Sequence, residues 1–281
     1  MEIVNHVFTL RATESIYLPE YKGSVFHGGF GHALQAISPM WAEYFLKPSN
    51  QQGQALPPPY VLLPPLDDLS VYEAGQCFTV ALTLFGQANK HYALAQSAIE
   101  FLGRQLGLGY RQGKYAIEAI KTQSAAGLVS SSLSQQPGSA TQQVQLQIAT
   151  RLRIKHKNRL HRHAPSFIEF MARLMGRMKT LHYAYANEEE HEPTLWEPTF
   201  NQETMGNIQA DDYTHWDDWD RYSGRQKTWM KFGGLMGAIT YRGAVQPFLP
   251  YLRLGEWIHI GGKTSFGLGK YRLIEDVMPC E

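Results

Sequence analysis

The sequence predicts an α+β protein built from two domains, each with the element order βαββαβ. A polar segment rich in Ser, Gln, Ala and Gly divides the 281-residue chain into halves of similar size. The halves also end alike, each with an apolar stretch, a glycine-rich connection and an alternating strand, at 115–120 and 270–274. We therefore predict domains over residues 1–121 and 144–281, with a linker or surface excursion over 122–143.

The first half begins with a predicted strand near residues 3–12. A helix is predicted over 28–46 because apolar residues recur there at helical spacing, despite Pro39. The segment PYVLLPP predicts only a weak strand, since prolines flank it. A strand at CFTVALTLFG and a helix at NKHYALAQSAIEFLGRQ, opened by Asn89, complete the first half.

The second half predicts a strand over 144–154 and a helix over 166–184 with one apolar face. Further strands are predicted around 225–232 and 235–242. Residues 248–260 fit two structures, because the leucines suit a helix whereas EWIHI alternates as a strand does.

The composition is that of a globular protein with an uneven charge distribution. Hydrophobic residues make up 43% of the chain and charged residues 18%, with a net charge of +1. Nine of the thirteen residues over 151–163 are Arg, Lys or His, whereas 188–220 is acidic. The near-zero net charge of the whole chain therefore conceals a strongly basic region, which favours nucleic acid as the partner.

The two cysteines, Cys77 and Cys280, form no CxxC pair. This argues against a disulfide framework or a cysteine zinc site and fits a reducing compartment. The N-terminus lacks the order of a signal peptide, and no apolar run approaches the roughly 18 residues of a membrane helix. We therefore predict a cytoplasmic protein that does not associate with a membrane.

The segment GEWIHIGGKTSFGLGKYRLIED, residues 255–276, combines glycines with Lys263, Lys270 and Arg272. Glycines allow positive φ and close approach to a ligand, and the basic residues favour an anion such as phosphate. The segment matches neither common nucleotide loop. A phosphate within a polymer is therefore the predicted ligand.

Several motifs together resemble a known family. FGGLMGAITYRG followed by PFLPYLRLGEWIHIGGKTSFGLGKYRL resembles the C-terminal signature of the CRISPR repeat-RNA processing endoribonucleases, the sixth CRISPR-associated protein family of the RAMP superfamily. DDWDRYSGRQKTWMKFGG looks like the segment that precedes this signature. LPEYKGSVFHGGFGHALQ resembles the glycine-rich turn and first helix of RAMP proteins.

The resemblance implies two tandem ferredoxin-like (RRM-like) domains that bind CRISPR repeat RNA as a monomer or homodimer. It also implies one metal-independent cut without a cofactor. The ribose 2′-OH attacks the adjacent phosphate and leaves a 2′,3′-cyclic phosphate and a 5′-OH. A CRISPR effector complex, or other CRISPR-associated proteins, are further partners that the family implies.

The family places a catalytic histidine on or near the first helix, where this chain has His27 and His32. Five residues on a helix turn about 140°, so the two histidines face different ways. We predict His32, on the polar side, as the stronger catalytic candidate, and His27, near the apolar stripe, as the weaker. Tyr21 and Lys22 fit a proton donor and an oxyanion contact, or else ordinary turn residues. A second such pair is Tyr44 and Lys47.

The resemblance predicts RNA-backbone contacts from the glycine-rich segment, against the alternative of a tight turn with solvated lysines. These predicted contacts are Gly261, Gly262, Lys263, Ser265, Gly267, Gly269 and Lys270. His259 fits either this role or packing against the loop.

A second RNA-binding surface is predicted where basic residues alternate along one strand. These residues are Arg151, Arg153, Lys155, Lys157 and Arg159. Alternation places them on one face, which binds phosphate or is simply solvated. The acidic segment DDYTHWDDWD with His215 suggests a metal site, but its aromatic residues better fit a surface strand, and we predict no metal.

Two other functions compete with the nuclease. A non-catalytic RAMP subunit that binds guide RNA in an effector complex would share the fold and the glycine-rich segment. A regulatory RNA-binding protein is the third, weakened by the lack of an RNP1-like motif. Cleavage of a cognate repeat by the isolated protein in EDTA distinguishes the nuclease from the non-catalytic RAMP subunit.

Overall fold

The computed structural model describes residues 1–125, 142–157, 159–187, 202–218, 220–223, 228–231 and 233–275. The chain divides into two compact units. Unit 1 contains Met1–Ala125, Thr180–Glu192 and Ser265–Gly267, and unit 2 contains Ala126–Lys179, Pro193–Thr264 and Leu268–Glu281. Most of the predicted linker, residues 126–141, lies outside the described residues.

Unit 1 contains a four-stranded antiparallel sheet with helices in the order βαββαβ. Its main elements are β1 (Ile3–Ala12), α1 (Gly23–Ile37), α2 (Pro39–Leu46), β3 (Tyr60–Leu63), β5 (Cys77–Phe85), α3 (Tyr92–Phe101) and β6 (Tyr115–Ser124). A small second sheet pairs β2 (Ile16–Tyr17) with β4 (Val71–Tyr72). The strand order β3-β5-β1-β6 places β1 between β5 and β6, as the ferredoxin-like fold requires.

The first helical segment differs from its prediction over 28–46. The chain forms two helices there, because Ser38 is extended (φ −159°, ψ 102°) and Pro39 begins α2. A residue before proline avoids the helical region, and proline suits the first helical turn. The helix also begins earlier than predicted, at Gly23.

The weak strand and the third helix of unit 1 are both present. PYVLLPP contains β3, which among the described strands pairs only with β5 and is an edge strand, the position where flanking prolines are tolerated. Asn89 lies in a 3₁₀ turn over Gly86–His91 rather than at the start of the α-helix, which begins at Tyr92.

Unit 2 repeats the same order of strands and helices. Its main elements are β7 (Gln143–Leu152), α4 (Phe167–Tyr185), β10 (Gln209–Asp217), β13 (Gly234–Arg242), α6 (Leu249–Ile258) and β14 (Tyr271–Glu275). The end of α4, from Thr180 onwards, belongs to unit 1. Two hairpins, β8 (Lys155–His156) with β9 (Arg159–Leu160) and β11 (Asp220–Ser223) with β12 (Thr228–Lys231), and the short helix α5 (Gln202–Gly206) complete the elements. The strand order β10-β13-β7-β14 matches that of unit 1. The predicted fold class is confirmed.

The undecided segment 248–260 is a helix over most of its length. Leu249, Leu252 and Ile258 are buried, and Pro250 stands in the first turn of α6. His259 ends the helix with φ 56°. The strand alternative for EWIHI is therefore wrong.

No helix in the described part of the chain is long and apolar enough to span a membrane.

A buried histidine in unit 1 predicts how stability depends on pH. The His6 ring is 5% exposed and stacks on Tyr92 with centroids 3.9 Å apart, and its Nδ1 lies 3.0 Å from Thr122 Oγ1. Burial lowers the pKa of His6 below its ordinary value of 6.5. As pH falls, the unfolded chain therefore binds the proton first, and the folded state loses stability.

We expect the free energy of unfolding to fall as the pH drops below about 7.5, where histidine in the unfolded chain begins to bind a proton, and to keep falling until the pH passes below the lowered pKa of His6. His6→Phe keeps a ring against Tyr92 and removes the titration, so its unfolding free energy should fall less. Denaturant titrations of both proteins at several pH values measure this difference. Equal pH dependence in the two proteins would exclude His6 as its source.

Candidate active site

The first helix of unit 1 is anchored by a buried lysine. Lys22 is 1% exposed, and its Nζ donates to the Asp67 carbonyl oxygen at 2.5 Å and lies 3.2 Å from Asp67 Oδ1. A buried ammonium needs such partners, since burial without them is costly. Asp67 also accepts a hydrogen bond from the Tyr72 hydroxyl at 2.8 Å. Lys22 thus fixes the start of α1, and this position does not support its predicted oxyanion role.

The segment Ser265–Gly267 packs within unit 1 against the start of α1. The Tyr21 hydroxyl, on a residue 7% exposed, donates to the Phe266 carbonyl oxygen at 2.5 Å. The His27 ring is half-buried and stacks on the Phe266 ring with centroids 3.6 Å apart and planes at 11°. A Cβ on Gly23 would collide with the Phe266 carbonyl oxygen. Tyr21 and His27 therefore both contact Phe266 at this corner, and their catalytic roles stay predictions.

His32 lies on another face of α1, exposed to solvent. It lines a groove of about 780 Å³ in unit 1, together with Val25 and Gly29 of the same helix. A Cβ on Gly29 would lie only 2.6 Å from Leu102 Cδ1, so this position favours glycine. The facing predicted from the sequence therefore agrees with the structure, which separates His32 from His27. Whether His32 is catalytic stays a prediction.

The groove also contains two tyrosines that the sequence analysis missed. Tyr17 of β2 and Tyr110 line it, their ring centroids are 5.6 Å apart, and Tyr110 is 75% exposed. The Arg111 guanidinium lies 4.4 Å from the Tyr17 centroid and 5.5 Å from that of Tyr110. Such cation–π contacts add positive charge beside exposed aromatic faces.

Glycines of the turn after α3 bring Tyr110 to the groove. Gly107 and Gly109 have φ of 77° and 72°. A Cβ on Gly109 would collide with the Tyr17 carbonyl oxygen, so only glycine lets this turn approach β2. The sequence signal was available, because GLGYRQG mixes glycine, an aromatic residue and a basic residue as the C-terminal segment does.

The second predicted pair does not line this groove. The Tyr44 hydroxyl is buried without a hydrogen-bond partner in the described residues, and burial raises the pKa of Tyr44. Lys47 directly follows α2, and its Nζ lies 3.5 Å from Glu43 Oε2. These contacts do not favour a catalytic role.

The C-terminal glycines are explained mainly by packing. Gly261 (φ 90°) lies beside Arg153, whose carbonyl oxygen accepts from the Gly262 N–H at 2.9 Å. A Cβ on Gly269 (φ 75°) would collide with the Ile260 carbonyl oxygen. A Cβ on Gly267 (φ 82°) would lie 2.6 Å from Pro64 Cδ.

The polar residues of the same segment differ in accessibility. Lys270 is half-buried and donates from Nζ to the Glu256 carbonyl oxygen at 2.6 Å, and burial lowers the pKa of its ammonium while Glu256 opposes this shift. Ser265 is 6% exposed. His259 is 2% exposed, with Nδ1 3.2 Å from the Leu268 carbonyl oxygen. Only Lys263 among these four is classed as exposed, so it is the residue best placed for a phosphate.

The predicted basic strand face is wrong. Strand β7 ends at Leu152, so the alternation does not continue, and the later basic residues lie on the separate β8–β9 hairpin. Arg151 is 6% exposed and pairs with Asp217 at 2.6 Å, and Arg153 donates to the Gly233 carbonyl oxygen. Lys155 is exposed. The structure thus uses the two arginines to hold unit 2 together.

Two family models match adjoining parts of the chain. Residues 1–146 match the AF_1859_N model, described as an N-terminal domain, and residues 145–271 match the model of the CRISPR-associated endoribonuclease Cas6. Together the matches extend over residues 1–271. No curated protein matches the sequence significantly.

Several solved structures share the fold. Cas6 from Thermus thermophilus is 15% identical, with a TM-score of 0.58, covering 97% of this chain and 98% of that chain. A partial Cas6-RT-Cas1–Cas2 complex contains a chain with a TM-score of 0.63 and 13% identity, covering 100% of this chain and 47% of that chain. A RAMP protein that binds different RNA substrates has a TM-score of 0.51 and 13% identity, covering 97% and 100% of the two chains. Identities this low show a shared fold and nothing more.

Proposed function

We propose that the chain is a CRISPR-associated endoribonuclease of the Cas6 type, because residues 145–271 match the Cas6 model, and that it cuts CRISPR repeat RNA to produce guide RNAs. The cut needs no metal ion. The ribose 2′-OH beside the scissile phosphate is the nucleophile, and the products carry a 2′,3′-cyclic phosphate and a 5′-OH.

Within this proposal, the His32 groove is the active site. The His32 imidazole accepts the 2′-OH proton as the oxygen attacks phosphorus. The P–O5′ bond breaks, and the Tyr17 hydroxyl gives its proton to the departing 5′ oxygen. Arg111, which lies over the Tyr17 ring, stabilises the negative phosphorane. Tyr17 replaces Tyr21 in this role, because the Tyr21 hydroxyl is buried and hydrogen-bonded to backbone.

The observation that carries the proposal is the composition of the groove. The solvent-exposed imidazole of His32, the phenol of Tyr17 and the exposed ring of Tyr110 line one cavity, and the Arg111 guanidinium lies against the two tyrosine rings. Proton transfer needs the first two, and binding a single-stranded nucleotide needs the others. The glycine-rich segment then contributes mainly to folding, with Lys263 as its exposed cation.

The test is cleavage by the isolated protein of the repeat RNA encoded beside its gene, in excess EDTA. We expect one cut per repeat, with a cyclic phosphate on the upstream product and a 5′-OH on the downstream one. Tight binding of the same RNA without any cut would instead support a non-catalytic RAMP subunit. Cleavage that stops in EDTA at a temperature where the protein stays folded would contradict the metal-independent chemistry.

We expect the exposed ring of Tyr110 to stack on a base of the RNA. Tyr110→Ala should weaken repeat-RNA binding by about 1–3 kcal/mol, the contribution of one base–aromatic stack. The salt dependence of binding should not change, because the ring is uncharged. Fluorescence anisotropy at several salt concentrations measures both quantities.

Two variants complete this test. Tyr213→Ala removes another exposed tyrosine, 61% exposed on β10, and should leave binding unchanged. Arg111→Ala should flatten the log–log salt dependence by about 0.7, the change for one phosphate contact on a single strand. Equal losses from Tyr110→Ala and Tyr213→Ala would remove the groove from the RNA interface.

A further inference from the structure

The β8–β9 hairpin of unit 2 brings two histidines to the first turn of α4. His156 ends β8, and His161 directly follows β9, where its N–H donates to the Ile154 carbonyl oxygen at 2.9 Å. Lys157, at φ 45°, lies in the turn between the two strands. The Arg173 guanidinium of α4 donates to the Lys155 carbonyl oxygen at 2.6 Å and holds the hairpin against the helix.

Glu169 of α4 faces both histidines. Its Oε1 lies 3.2 Å from His156 Nδ1 and 3.8 Å from His161 Nε2. Its other oxygen, Oε2, accepts from the Ser166 hydroxyl at 2.8 Å and from the Ser166 N–H at 3.0 Å, as in a capping box. The helix cap therefore uses one carboxylate oxygen and orients the other towards the imidazoles.

One nitrogen of this cluster is buried without a hydrogen bond. His161 Nε2 has no hydrogen-bond partner among the described residues, and the His161 side chain is 17% exposed. Burial of an unsatisfied polar atom costs free energy, so such an atom calls for a ligand that completes it. The three candidate ligand atoms all lie within 4.8 Å of one another.

We propose that His156, His161 and Glu169 bind a divalent metal ion of the zinc type. Two imidazoles and one carboxylate are a common zinc ligand set, with a fourth position left for water. Bonds of about 2.1 Å at tetrahedral angles place ligand atoms about 3.4 Å apart, between the two observed separations of 3.2 and 3.8 Å. The ion joins the hairpin to α4 and satisfies His161 Nε2.

Two cations stand near the site. Lys157 and Arg159 line the same cavity of about 530 Å³, and both are exposed. Water and salt screen their repulsion of a bound ion, whereas Glu169 is in direct contact with it. The proposal does not depend on the proposed cleavage reaction, because the metal site belongs to unit 2 and the groove to unit 1.

The test uses the untagged full chain, freed of metal by EDTA and dialysed, then titrated with Zn²⁺ against a chromophoric chelator. We expect one Zn²⁺ per chain and a melting temperature that rises with Zn²⁺, since an ion that binds only the folded state stabilises it. His156→Gln, at a half-exposed residue, should lower Zn²⁺ affinity by about tenfold or more, which corresponds to 1.4 kcal/mol. Glu169→Gln should do the same while its amide oxygen still accepts from Ser166.

The matched control is His163→Ala, two residues beyond the cluster, with an 88% exposed side chain near Asp212. It should bind Zn²⁺ as the wild type does. No stoichiometric binding by the wild type would overturn the proposal. So would an affinity that His156→Gln and Glu169→Gln leave unchanged, or that His163→Ala lowers equally.

Discussion

His32→Ala is expected to slow single-turnover cleavage of repeat RNA by about 10²-fold or more, the range for loss of a general acid or base. His32 is exposed in the groove of unit 1, so its removal should leave the melting temperature unchanged. Affinity for the RNA should stay within a few-fold, because phosphate contacts dominate such interfaces. Rapid-quench cleavage with protein in excess measures the rate, and anisotropy measures the affinity.

The control for this variant is His27→Ala. The His27 ring stacks on Phe266 at 3.6 Å, so its loss should lower the melting temperature more than the cleavage rate. A wild-type rate for His32→Ala together with an inactive His27→Ala would reverse the two roles. Normal rates in both would place the acid and base elsewhere.

Tyr17→Phe distinguishes the proposed proton donation by the Tyr17 hydroxyl from the contacts that its ring makes in the same groove. The substitution removes one hydroxyl and keeps the ring beneath Arg111. If the hydroxyl protonates the leaving oxygen, the rate should fall while RNA affinity is retained. A substrate with a 5′-thio leaving group, which needs no protonation, should restore the rate of Tyr17→Phe but not that of His32→Ala.

The fold was predictable because its signals are local and repeated. Strands Ile3–Ala12 and Cys77–Phe85 alternate or are continuously apolar, and helix Phe167–Tyr185 has one apolar face, so hydrophobic periodicity suffices to predict them. The helix break at Ser38 was also predictable, because the residue before a proline avoids the helical region. Strand Gln209–Asp217 was harder, since its mostly exposed residues give no apolar face to detect.

The site was less predictable because its contacts are distant in sequence. The direction of His32 follows from helical geometry alone, and the structure agrees. Its neighbours Tyr17 and Tyr110 come from a two-residue strand and a turn, and only the tertiary fold brings them together. Charge was a poor guide, since Lys22 and Arg151 look like surface cations in the sequence yet are buried in ion pairs.

The glycines of the C-terminal segment look like a ligand-binding loop in the sequence, because they are so dense, but the structure explains them by packing. Gly269 has φ 75°, and a Cβ there would collide with the Ile260 carbonyl oxygen. Its N–H also donates to the Arg151 carbonyl oxygen at 3.1 Å, and its carbonyl oxygen accepts from the Ile260 N–H at 3.0 Å. The backbone of unit 2 therefore encloses this residue through these two hydrogen bonds.

Gly269→Val should accordingly lower the free energy of unfolding by about 4 kcal/mol or more, because strain at positive φ adds to a backbone collision. RNA affinity should fall in step with the folded fraction, as measured by denaturant titration and anisotropy on the same samples. Gly262→Val is the control, since its Cβ would meet only Arg153 atoms at 3.7 and 3.9 Å. Its cost should stay below about 1 kcal/mol. A Gly269→Val protein that melts as the wild type does but no longer binds RNA would show that the glycine serves the ligand, as the sequence alone suggests.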